Sequence, residues 1–346
     1  MHLTRKEILS QFLALKMTYD YFISNVESIR DLWHAHEFDS VTFVGCGSGY
    51  CLCQSGELSA KLRLGLPANS IAAGDLMLNF SQYRNLLKNT LIVAPSRSGS
   101  TSEVVIAINK ARAELNTTCI SIVANQGSEL ANSSDLTLEI PWAFDESVCQ
   151  TRTVTNLYTA NLLLLAIIKE DNDLLNEIKN AIDFGESYIQ KYEKVFESIS
   201  MNYEWENVVV LADSELQGIA SEGAMAFTEI SQVCANYHHI LDVRHGPSVL
   251  IGEKTLVVMA CSAEEKQYQT DLIRDLKKLG AVLVTISDEI ENYGEADFNI
   301  TIPSFRNEAV RGILFILVPQ LISYYKALKL GINPDLPQGL KPWIEL

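Results

Sequence analysis

The chain has 346 residues, of which 47% are hydrophobic and 20% are charged, a composition typical of globular proteins and long enough for two domains. Its formal net charge of −16 disfavours nucleic acids and anionic membrane surfaces as partners, because both bind clustered lysines and arginines. A small anion is not excluded, since local dipoles and hydroxyl groups can bind one phosphate within a negative overall field.

The N-terminus and the cysteines predict a cytoplasmic protein. Met1 to Glu7 contain no apolar segment of the kind that secretory signals use. No run approaches the roughly 18 uninterrupted apolar residues of a membrane span, so no membrane partner is expected. The cysteines number seven and form no C-x-x-C pair, which favours buried thiols in a reducing compartment and gives no support to a metal site.

Apolar runs and helical patterns alternate along the chain in two similar halves. Residues 1–35 are predicted to be helical, and a helix over residues 172–200 is predicted to join the halves. The predicted strands cover residues 41–44, 91–94, 119–124 and 136–140, and then 208–211, 256–260, 282–286 and 298–302. The predicted helices after the first two strands of each half cover residues 55–64, 102–115, 222–233 and 267–279.

Continuous Val, Ile and Leu runs between amphipathic helices are typical of parallel sheets covered on both faces. The sequence therefore predicts an α/β protein with two tandem doubly wound, mainly parallel-sheet domains, flanking helices and an extended C-terminal tail. The predicted segments are an N-terminal helical segment, a first domain, connecting helices, a second domain and a tail, at residues 1–34, 35–171, 172–200, 201–330 and 331–346.

The turn after the first predicted strand is rich in glycine. Gly45, Gly47 and Gly49 alternate there, but the G-x-G-x-x-G spacing of a dinucleotide site is absent. No acidic residue ends a second strand about 20 residues further on, as that site requires. We therefore expect no cofactor, and the turn is interpreted as the floor of a small-ligand site.

A hydroxyl-rich loop follows the second predicted strand and leads into a helix. It reads Ser96-Arg97-Ser98-Gly99-Ser100-Thr101. The hydroxyls are donors, Gly99 allows close approach of the backbone, and the helix N-terminus adds N–H groups with partial positive charge. Ser100 and Glu103 have the spacing of a capping box. At the carboxyl end of a parallel strand, this pattern favours a phosphate site over an ordinary serine-rich turn.

The second half carries a carboxylate and a histidine suited to proton transfer. Glu229 lies between Phe227 and Ile230 on a predicted helix, and His245 lies in the turn Arg244-His245-Gly246-Pro247. Such a pair can act as acid and base on a sugar chain. On pattern alone, a solvent-exposed helix glutamate and a loop histidine are the favoured interpretation.

Together these motifs resemble the SIS-domain phosphosugar isomerase family. Its members include the isomerase half of glucosamine-6-phosphate synthase and single-unit amino-sugar-phosphate deaminases and deglycases. The resemblance spans roughly residues 35–346 and rests on the loop at 96–101, the glycine turn at 45–48, the segments at 146–152 and 221–224, and the turn at 244–247. The separation between Glu229 and His245 also matches.

The resemblance implies a set of binding residues. The phosphate of a hexose 6-phosphate would contact the side chains and backbone of Ser96, Arg97, Ser98, Ser100 and Thr101. The sugar would lie against Gly47, Ser48, Gly49 and Val148.

It also implies catalytic residues and a partner. His245, which relatives take from a neighbouring subunit, would open the sugar ring, and Glu229 would move a proton between C1 and C2. Lys341, in a tail that closes the site, would contact the open-chain carbonyl. The expected partners are a sugar phosphate substrate and further copies of the chain, in a homodimer or higher homo-oligomer with shared active sites.

Three departures from the family pattern limit the substrate and the sites. Lys341 lies one residue before the position of the lysine in the family's tail motif, so a Schiff-base role is left open. The sequence has no glutaminase domain and no cysteine at position 2, so transfer of nitrogen from glutamine is not expected. The second half carries acidic residues Glu264 and Glu265 where the first has hydroxyls, so a single phosphate site is expected.

The sequence leaves several activities open. Deamination or isomerisation of an amino-sugar 6-phosphate ranks first, deglycation of an N-substituted sugar 6-phosphate ranks next, and plain ketose/aldose isomerisation ranks third. The alternative function that involves no catalysis is that of a sugar-phosphate-binding sensor protein.

Overall fold

The computed structural model describes residues 2–262, 264–288, 293–342 and 344. The chain divides into two compact units. The first unit comprises Ser10–Ile182 and Lys341–Leu346, and the second comprises Met1–Leu9 and Asp183–Leu340. Within the described residues, each unit is built on a five-stranded parallel sheet.

The sheet of the first unit has the strand order β2-β1-β3-β4-β5. Its strands are β1 (Ser40–Gly45), β2 (Ala68–Ala72), β3 (Thr90–Ser96), β4 (Thr118–Val123) and β5 (Leu136–Glu139). Every residue of β1 and β3 is buried, because helices cover both faces of the sheet. The strand order reverses between β1 and β3, and doubly wound sheets bind ligands at the carboxyl ends of strands at such a point.

Helices that lie wholly or partly in the first unit accompany this sheet in the chain. They are α1 (Leu3–Ser24), which begins in the second unit, α2 (Val26–His34), α3 (Ser48–Leu64), α4 (Ala73–Leu78), α5 (Phe80–Tyr83), α6 (Ser102–Leu115), α7 (Glu129–Asn132), α8 (Arg152–Lys169) and α9 (Asn172–Asn202), which ends in the second unit. Helix α8 is buried from Thr153 to Ile168, so it is a core helix rather than an amphipathic surface helix.

The second unit repeats this topology. Its strands are β6 (Asn207–Leu211), β7 (Cys234–His238), β8 (Thr255–Ala260), β9 (Val282–Asp288) and β10 (Phe298–Ile302), in the order β10-β9-β8-β6-β7. Its further helices are α10 (Gln217–Ile230), α11 (Lys266–Lys278), α12 (Glu308–Phe315) and α13 (Leu317–Leu330). The order reverses between β8 and β6, as it does between β3 and β1.

One stretch, Glu308–Leu330, is long and apolar enough to cross a membrane by length and composition alone. Of its most apolar window, 83% is buried inside the protein. Core helices of soluble proteins pass the same test, so the stretch is weak evidence for a membrane span.

The eight predicted strands are confirmed, but the sequence missed the edge strands β2 and β7. Both carry polar residues, such as Asn69 in β2 and Asn236 in β7, that break the apolar pattern on which a buried strand is recognised. The predicted start of α3 at residue 55 was also wrong. The helix begins at Ser48, directly after Gly47, whose φ of 52° turns the chain.

Candidate functional site

The hydroxyl-rich loop joins β3 to α6 and is held by its own side chains. The Gly99 N–H donates to Ser96 Oγ at 3.0 Å, and the Ser100 N–H donates to Ser98 Oγ at 3.2 Å. Ser98 Oγ also lies 3.3 Å from Thr101 Oγ1. Ser96 and Ser98 are 8% and 5% exposed, so their hydroxyl groups are fixed within a buried turn.

Gly99 is required by both conformation and space. Its φ of 60° is in the left-handed region that glycine adopts without strain. A Cβ atom at this position would lie 2.0 Å from Ser128 Oγ. The loop therefore packs against the start of α7 through a residue without a side chain.

The predicted capping box is wrong. The N-cap residue of α6 is Thr101, so Ser100 stands one residue too early to cap the helix. The Ser100 hydroxyl instead donates to the Ser98 carbonyl at 3.3 Å. Ser100 therefore stabilises the loop from within.

Arg97 links the loop to two other segments of the first unit. Its side chain is 4% exposed, and Nη1 donates to the Ser147 carbonyl at 2.9 Å. Nη2 donates to the Pro342 carbonyl of the C-terminal tail at 2.5 Å. The tail also contacts the helix, because the Ser102 N–H donates to the Ile344 carbonyl at 3.4 Å. A buried cation and a helix N-terminus thus lie side by side under the tail.

A small cavity of about 40 Å³ opens beside this loop. A buried water needs roughly 10–15 Å³ by the same measure, so the space suits a group the size of a phosphate. Its lining residues are Cys46, Gly49, Pro95, Ser96, Arg97, Ser98, Thr101, Val104, Gln150 and Pro342.

Three helices of the first unit begin at this cavity. Gly49 lies in the first turn of α3, Thr101 is the N-cap of α6, and Gln150 lies two residues before α8. Each helix N-terminus carries a partial positive charge and N–H groups that the helix does not use. Together with Arg97, they make the cavity suitable for an anion despite the acidic chain.

Asp145 fixes the start of α8 and was not singled out in the sequence. Its carboxylate accepts hydrogen bonds from the N–H groups of Thr151 at 2.7 Å and Thr153 at 2.9 Å. Asp145 is 2% exposed, and the nearby guanidinium of Arg152 lies 3.7 Å away. This carboxylate positions the segment that carries Gln150 and Val148. Its sequence neighbours, Phe144 and Glu146, give no signal of this role.

The glycine turn brings α3 close to β3. A Cβ at Gly49 would lie 3.0 Å from the Pro95 carbonyl, and one at Gly45 would lie 2.7 Å from the Gly49 backbone. Cys46 lines the cavity between these glycines, and burial, followed by the charge of Glu103, raises the pKa of its thiol. The thiol is therefore held neutral beside the anion site.

The structure brings together five of the nine predicted binding residues at the cavity, namely Gly49, Ser96, Arg97, Ser98 and Thr101. Gly47, Ser48, Ser100 and Val148 do not line it. Gly47 is the N-cap of α3 and Ser48 its first residue, while Val148 is 9% exposed within the segment before α8. Lys341 is exposed and directly precedes Pro342.

Glu229 lies in the last turn of α10, within the second unit. Its side chain is half-buried, whereas its neighbours Phe227 and Ile230 are fully buried. Phe227 packs edge-to-face on Trp205 with ring centroids 5.9 Å apart. The glutamate is therefore carried by a firmly anchored helix, with its carboxylate on the partly accessible side.

His245 is also in the second unit and is exposed. It follows a short 3₁₀ turn, Asp242–Arg244, and its N–H donates to the Asp242 carbonyl at 2.8 Å. Gly246 has a φ of 127°, which ends the turn. The imidazole is thus presented at a surface turn.

The described residues contain no group of three or more His, Cys, Asp or Glu side chains that could hold a metal ion.

The SIS domain family model matches residues 10–167 and 202–330. The chain belongs to the SIS domain family.

Curated relatives of this SIS chain include larger enzymes. It is 27% identical over 360 residues to the glutamine–fructose-6-phosphate aminotransferase (isomerizing) of Pectobacterium atrosepticum, covering 98% of this chain and 58% of the relative. The enzyme of that name from Wigglesworthia glossinidia brevipalpis is 24% identical over 363 residues, with the same coverage. The chain therefore spans little more than half the length of the curated relatives it matches.

Solved structures agree over nearly the whole chain. A glucosamine-6-phosphate deaminase from Thermotoga maritima superposes with a TM-score of 0.85 and 27% identity, covering 99% of this chain and 100% of that one. A tagatose-6-phosphate ketose/aldose isomerase from Escherichia coli has a TM-score of 0.86 and 20% identity, covering 99% and 95%. At that identity, the second comparison shows the fold alone.

Proposed function

We propose that the chain is an enzyme of the phosphosugar isomerase class that acts on a hexose 6-phosphate, with an amino or N-linked substituent at C1 or C2. The observation that carries the proposal is the buried loop of Ser96 and Ser98, beside Arg97 and three helix N-termini. Hydroxyls, a guanidinium and N–H groups at helix N-termini are the donors that a phosphate dianion needs.

The proposed reaction moves one proton along the open sugar chain. His245 would assist ring opening, and Glu229 would take the proton from C2 or C1 and return it to the other carbon, through an enediol or an enolamine. Lys341 would contact the open-chain carbonyl. General acid–base groups of this kind contribute about 10²–10⁴-fold to rate, so removing the glutamate carboxylate should nearly abolish turnover.

The relatives support this class without choosing one member of it. Among them, one name describes a deaminase, one an aldose/ketose isomerase and one an aminotransferase, each of a hexose 6-phosphate. All three reactions change bonds at C1 and C2 while the 6-phosphate stays unchanged. We rank deamination or isomerisation of an amino-sugar 6-phosphate first and deglycation second.

We further propose that the chain is a tandem repeat of two SIS domains, working in the cytoplasm as a homodimer or higher homo-oligomer. The shared strand order of the two sheets and the two matched segments support the repeat. The proposed domains cover residues 35–171 and 201–330, with the tail from residue 331 as a closing segment. The exposed position of His245 supports its use by a neighbouring copy.

Turnover of a panel of hexose 6-phosphates tests the reaction. The panel contains glucosamine, fructoselysine, glucoselysine, fructose and tagatose 6-phosphates, with ammonia, lysine and the isomerised sugar measured as products. Turnover of one member, and none of its unphosphorylated form, is expected. Binding without turnover of any member would contradict the enzyme and favour the sensor.

A Glu229→Gln variant separates catalysis from binding. The amide keeps the size of the side chain but cannot accept a proton from carbon, so turnover should fall about 10²–10⁴-fold while substrate affinity is kept. Glu264→Gln, at an exposed acid of the second unit, is the matched control and should keep full activity. Equal loss in both variants would contradict a catalytic role for Glu229.

Mixed oligomers test the shared site. Chains carrying Glu229→Gln and chains carrying His245→Ala are each expected to be inactive, and their mixture should regain part of the activity. A mixture that forms mixed oligomers but regains nothing would show that both residues act within one chain.

A further inference from the structure

A second and larger cavity lies at the amino ends of the strands in the first unit's sheet. Its volume is about 440 Å³, within the range of roughly 300–1,000 Å³ that small-molecule sites occupy. Its lining residues are His36, Phe38, Asn89, Thr90, Arg112, Leu115, Asn116, Thr117, Thr118 and Asp135. They come from the segments that lead into β1, β3, β4 and β5. The hydroxyl-rich loop at residues 96–101, the phosphate-type loop, lies instead at the end of β3.

The charges of this cavity balance. The guanidinium of Arg112 binds the Asp135 carboxylate through both Nη atoms, and the Cys119 N–H donates to the same carboxylate at 2.8 Å. Burial opposes ionisation of this carboxylate, but the hydrogen bonds from Arg112 and Cys119 and the charge of Arg112 together outweigh it and lower the pKa of Asp135, so the pair is ionised at neutral pH. A paired cation and anion favour a neutral ligand over a phosphate, because the carboxylate would repel the phosphate.

Thr117 contributes shape rather than a hydrogen bond to this cavity. Its side chain is 6% exposed and its Oγ1 is shielded from solvent, so a ligand in the cavity does not reach that oxygen. The polar contacts of a ligand therefore fall to the other lining residues.

The remaining lining suits a polyhydroxy ring. Asn89 and Asn116 lie at left-handed positions with φ of 50° and 54°, and their amides each present a donor and an acceptor. Phe38 is half-buried, its ring centroid lies 5.2 Å from that of Trp33 and 5.3 Å from that of His36, and it adds an apolar side chain to the lining.

We propose that this cavity binds a neutral monosaccharide, one without a phosphate group. The site is separate from the phosphate-type loop, because the seven residues of β3 span about 20 Å between Thr90 and Ser96 at ~3.3 Å per residue. The proposal does not depend on the reaction proposed above, since it concerns a different edge of the sheet and needs no turnover.

Calorimetric titration of the full chain tests the site, with glucose and N-acetylglucosamine as probes. Each titration is repeated with saturating inorganic phosphate, which occupies the phosphate-type loop. Saturable binding of at least one sugar, with an affinity that phosphate does not change, is expected. No saturable binding of either sugar overturns the proposal, and competition by phosphate places the sugar at the other cavity and overturns it as well.

Two variants locate the binding while keeping the fold. Asn89→Gly and Asn116→Gly each remove one lining amide at a left-handed position that glycine adopts without strain. Each should weaken sugar affinity about 3- to 10-fold, because one hydrogen bond is lost, without lowering the thermal midpoint.

Glu170→Gly is the matched control, since Glu170 is the left-handed end of α8 and lies outside the cavity. It should leave the sugar affinity unchanged. Unchanged affinity in both cavity variants overturns the location. Tighter binding of adenosine than of either sugar overturns the ligand class, since a planar base would then use Phe38 in preference to a polyol.

Discussion

The two units place different chemistry on the same topological position. In the first unit, β3, which borders the switch point, leads through residues 97–101 into α6. In the second unit, β8 leads through residues 261–265 into α11. Both connections stand at the carboxyl end of a parallel strand, where doubly wound sheets bind ligands.

In the second unit, a side chain of the following helix bonds to the backbone of the corresponding loop. The Gln269 side chain, 4% exposed, accepts from the Ser262 N–H at 2.8 Å and donates to the carbonyls of Ser262 at 3.1 Å and Glu264 at 2.7 Å. Glu264 and Glu265 are exposed beside it. In the described part of this loop the Ser262 N–H is therefore already bonded, and two exposed carboxylates repel an anion.

Topology supplies the position of a site but not its chemistry. The first loop has hydroxyls, a buried cation and a glycine turn, while the second has an amide that bonds its backbone and two acids. A single phosphate site, in the first unit, is the prediction that follows from both.

The largest expected effect comes from Gly99→Ala. The new Cβ would lie 2.0 Å from Ser128 Oγ at a φ of 60°, so clash and strain together should cost about 2–4 kcal/mol and abolish phosphate binding. Gly127→Ala is the matched control, because its φ is 67° but no atom lies within 4 Å of the new Cβ. Urea unfolding and phosphate titration measure both; equal losses would mean that strain alone matters.

Removing one loop hydroxyl should have the next largest effect. In Ser98→Ala, the Ser100 N–H loses its acceptor and the cavity loses a donor, so affinity for a sugar 6-phosphate should fall about 10- to 100-fold. Ser262→Ala, at the corresponding loop of the second unit, should leave that affinity unchanged. A comparable loss in the control would show that both loops hold phosphate.

Gln269→Ala should affect stability and not binding. Three backbone groups lose their partner, so the free energy of unfolding should fall by about 1–3 kcal/mol. Gln267→Ala, at an exposed position of the same helix, is the control and should stay within about 0.5 kcal/mol of the wild type. A gain of phosphate binding at the second loop would contradict the role of its acids.

The smallest expected effects concern two carboxylates with opposite pKa shifts. The pKa of Asp135 is held below its ordinary 3.8 although burial opposes this, so its stabilisation is lost only as pH falls below that value. Burial raises the pKa of Glu308 above its ordinary 4.5, against Arg311, so the protein loses stability as pH rises from 4.5 through the raised value.

Urea unfolding across this pH range, with Asp135→Asn and Glu308→Gln variants, measures both shifts. Asp135→Asn should remove part of the fall in unfolding free energy below pH 3.8. Glu308→Gln should remove part of its fall just above pH 4.5. A change in the opposite window by either variant would contradict the assignment.

Much of this fold follows from local sequence pattern. The predicted helix over residues 102–115 is confirmed at both ends, because its loop and its apolar face lie in one continuous segment. The central strands are found for the same reason: their buried faces give uninterrupted apolar runs.

The features that the sequence did not predict depend on partners far along the chain. Asp145 caps α8 through bonds that only the folded turn creates, and the Arg97 bond to Pro342 joins residues on widely separated segments. The edge strands β2 and β7 exist because a neighbouring strand pairs with them, not because of their own composition. The roles of Glu229 and His245 remain predictions.

The C-terminal tail makes anion binding an exchange of partners. The carbonyls of Pro342 and Ile344 accept bonds from the Arg97 guanidinium and the Ser102 N–H, both of which a phosphate would also use. An entering anion therefore gains only the difference between its own bonds and those of two peptide oxygens. A chain shortened after Lys341 should hold inorganic phosphate more tightly than the intact protein, so the length of the tail sets how readily the site is emptied.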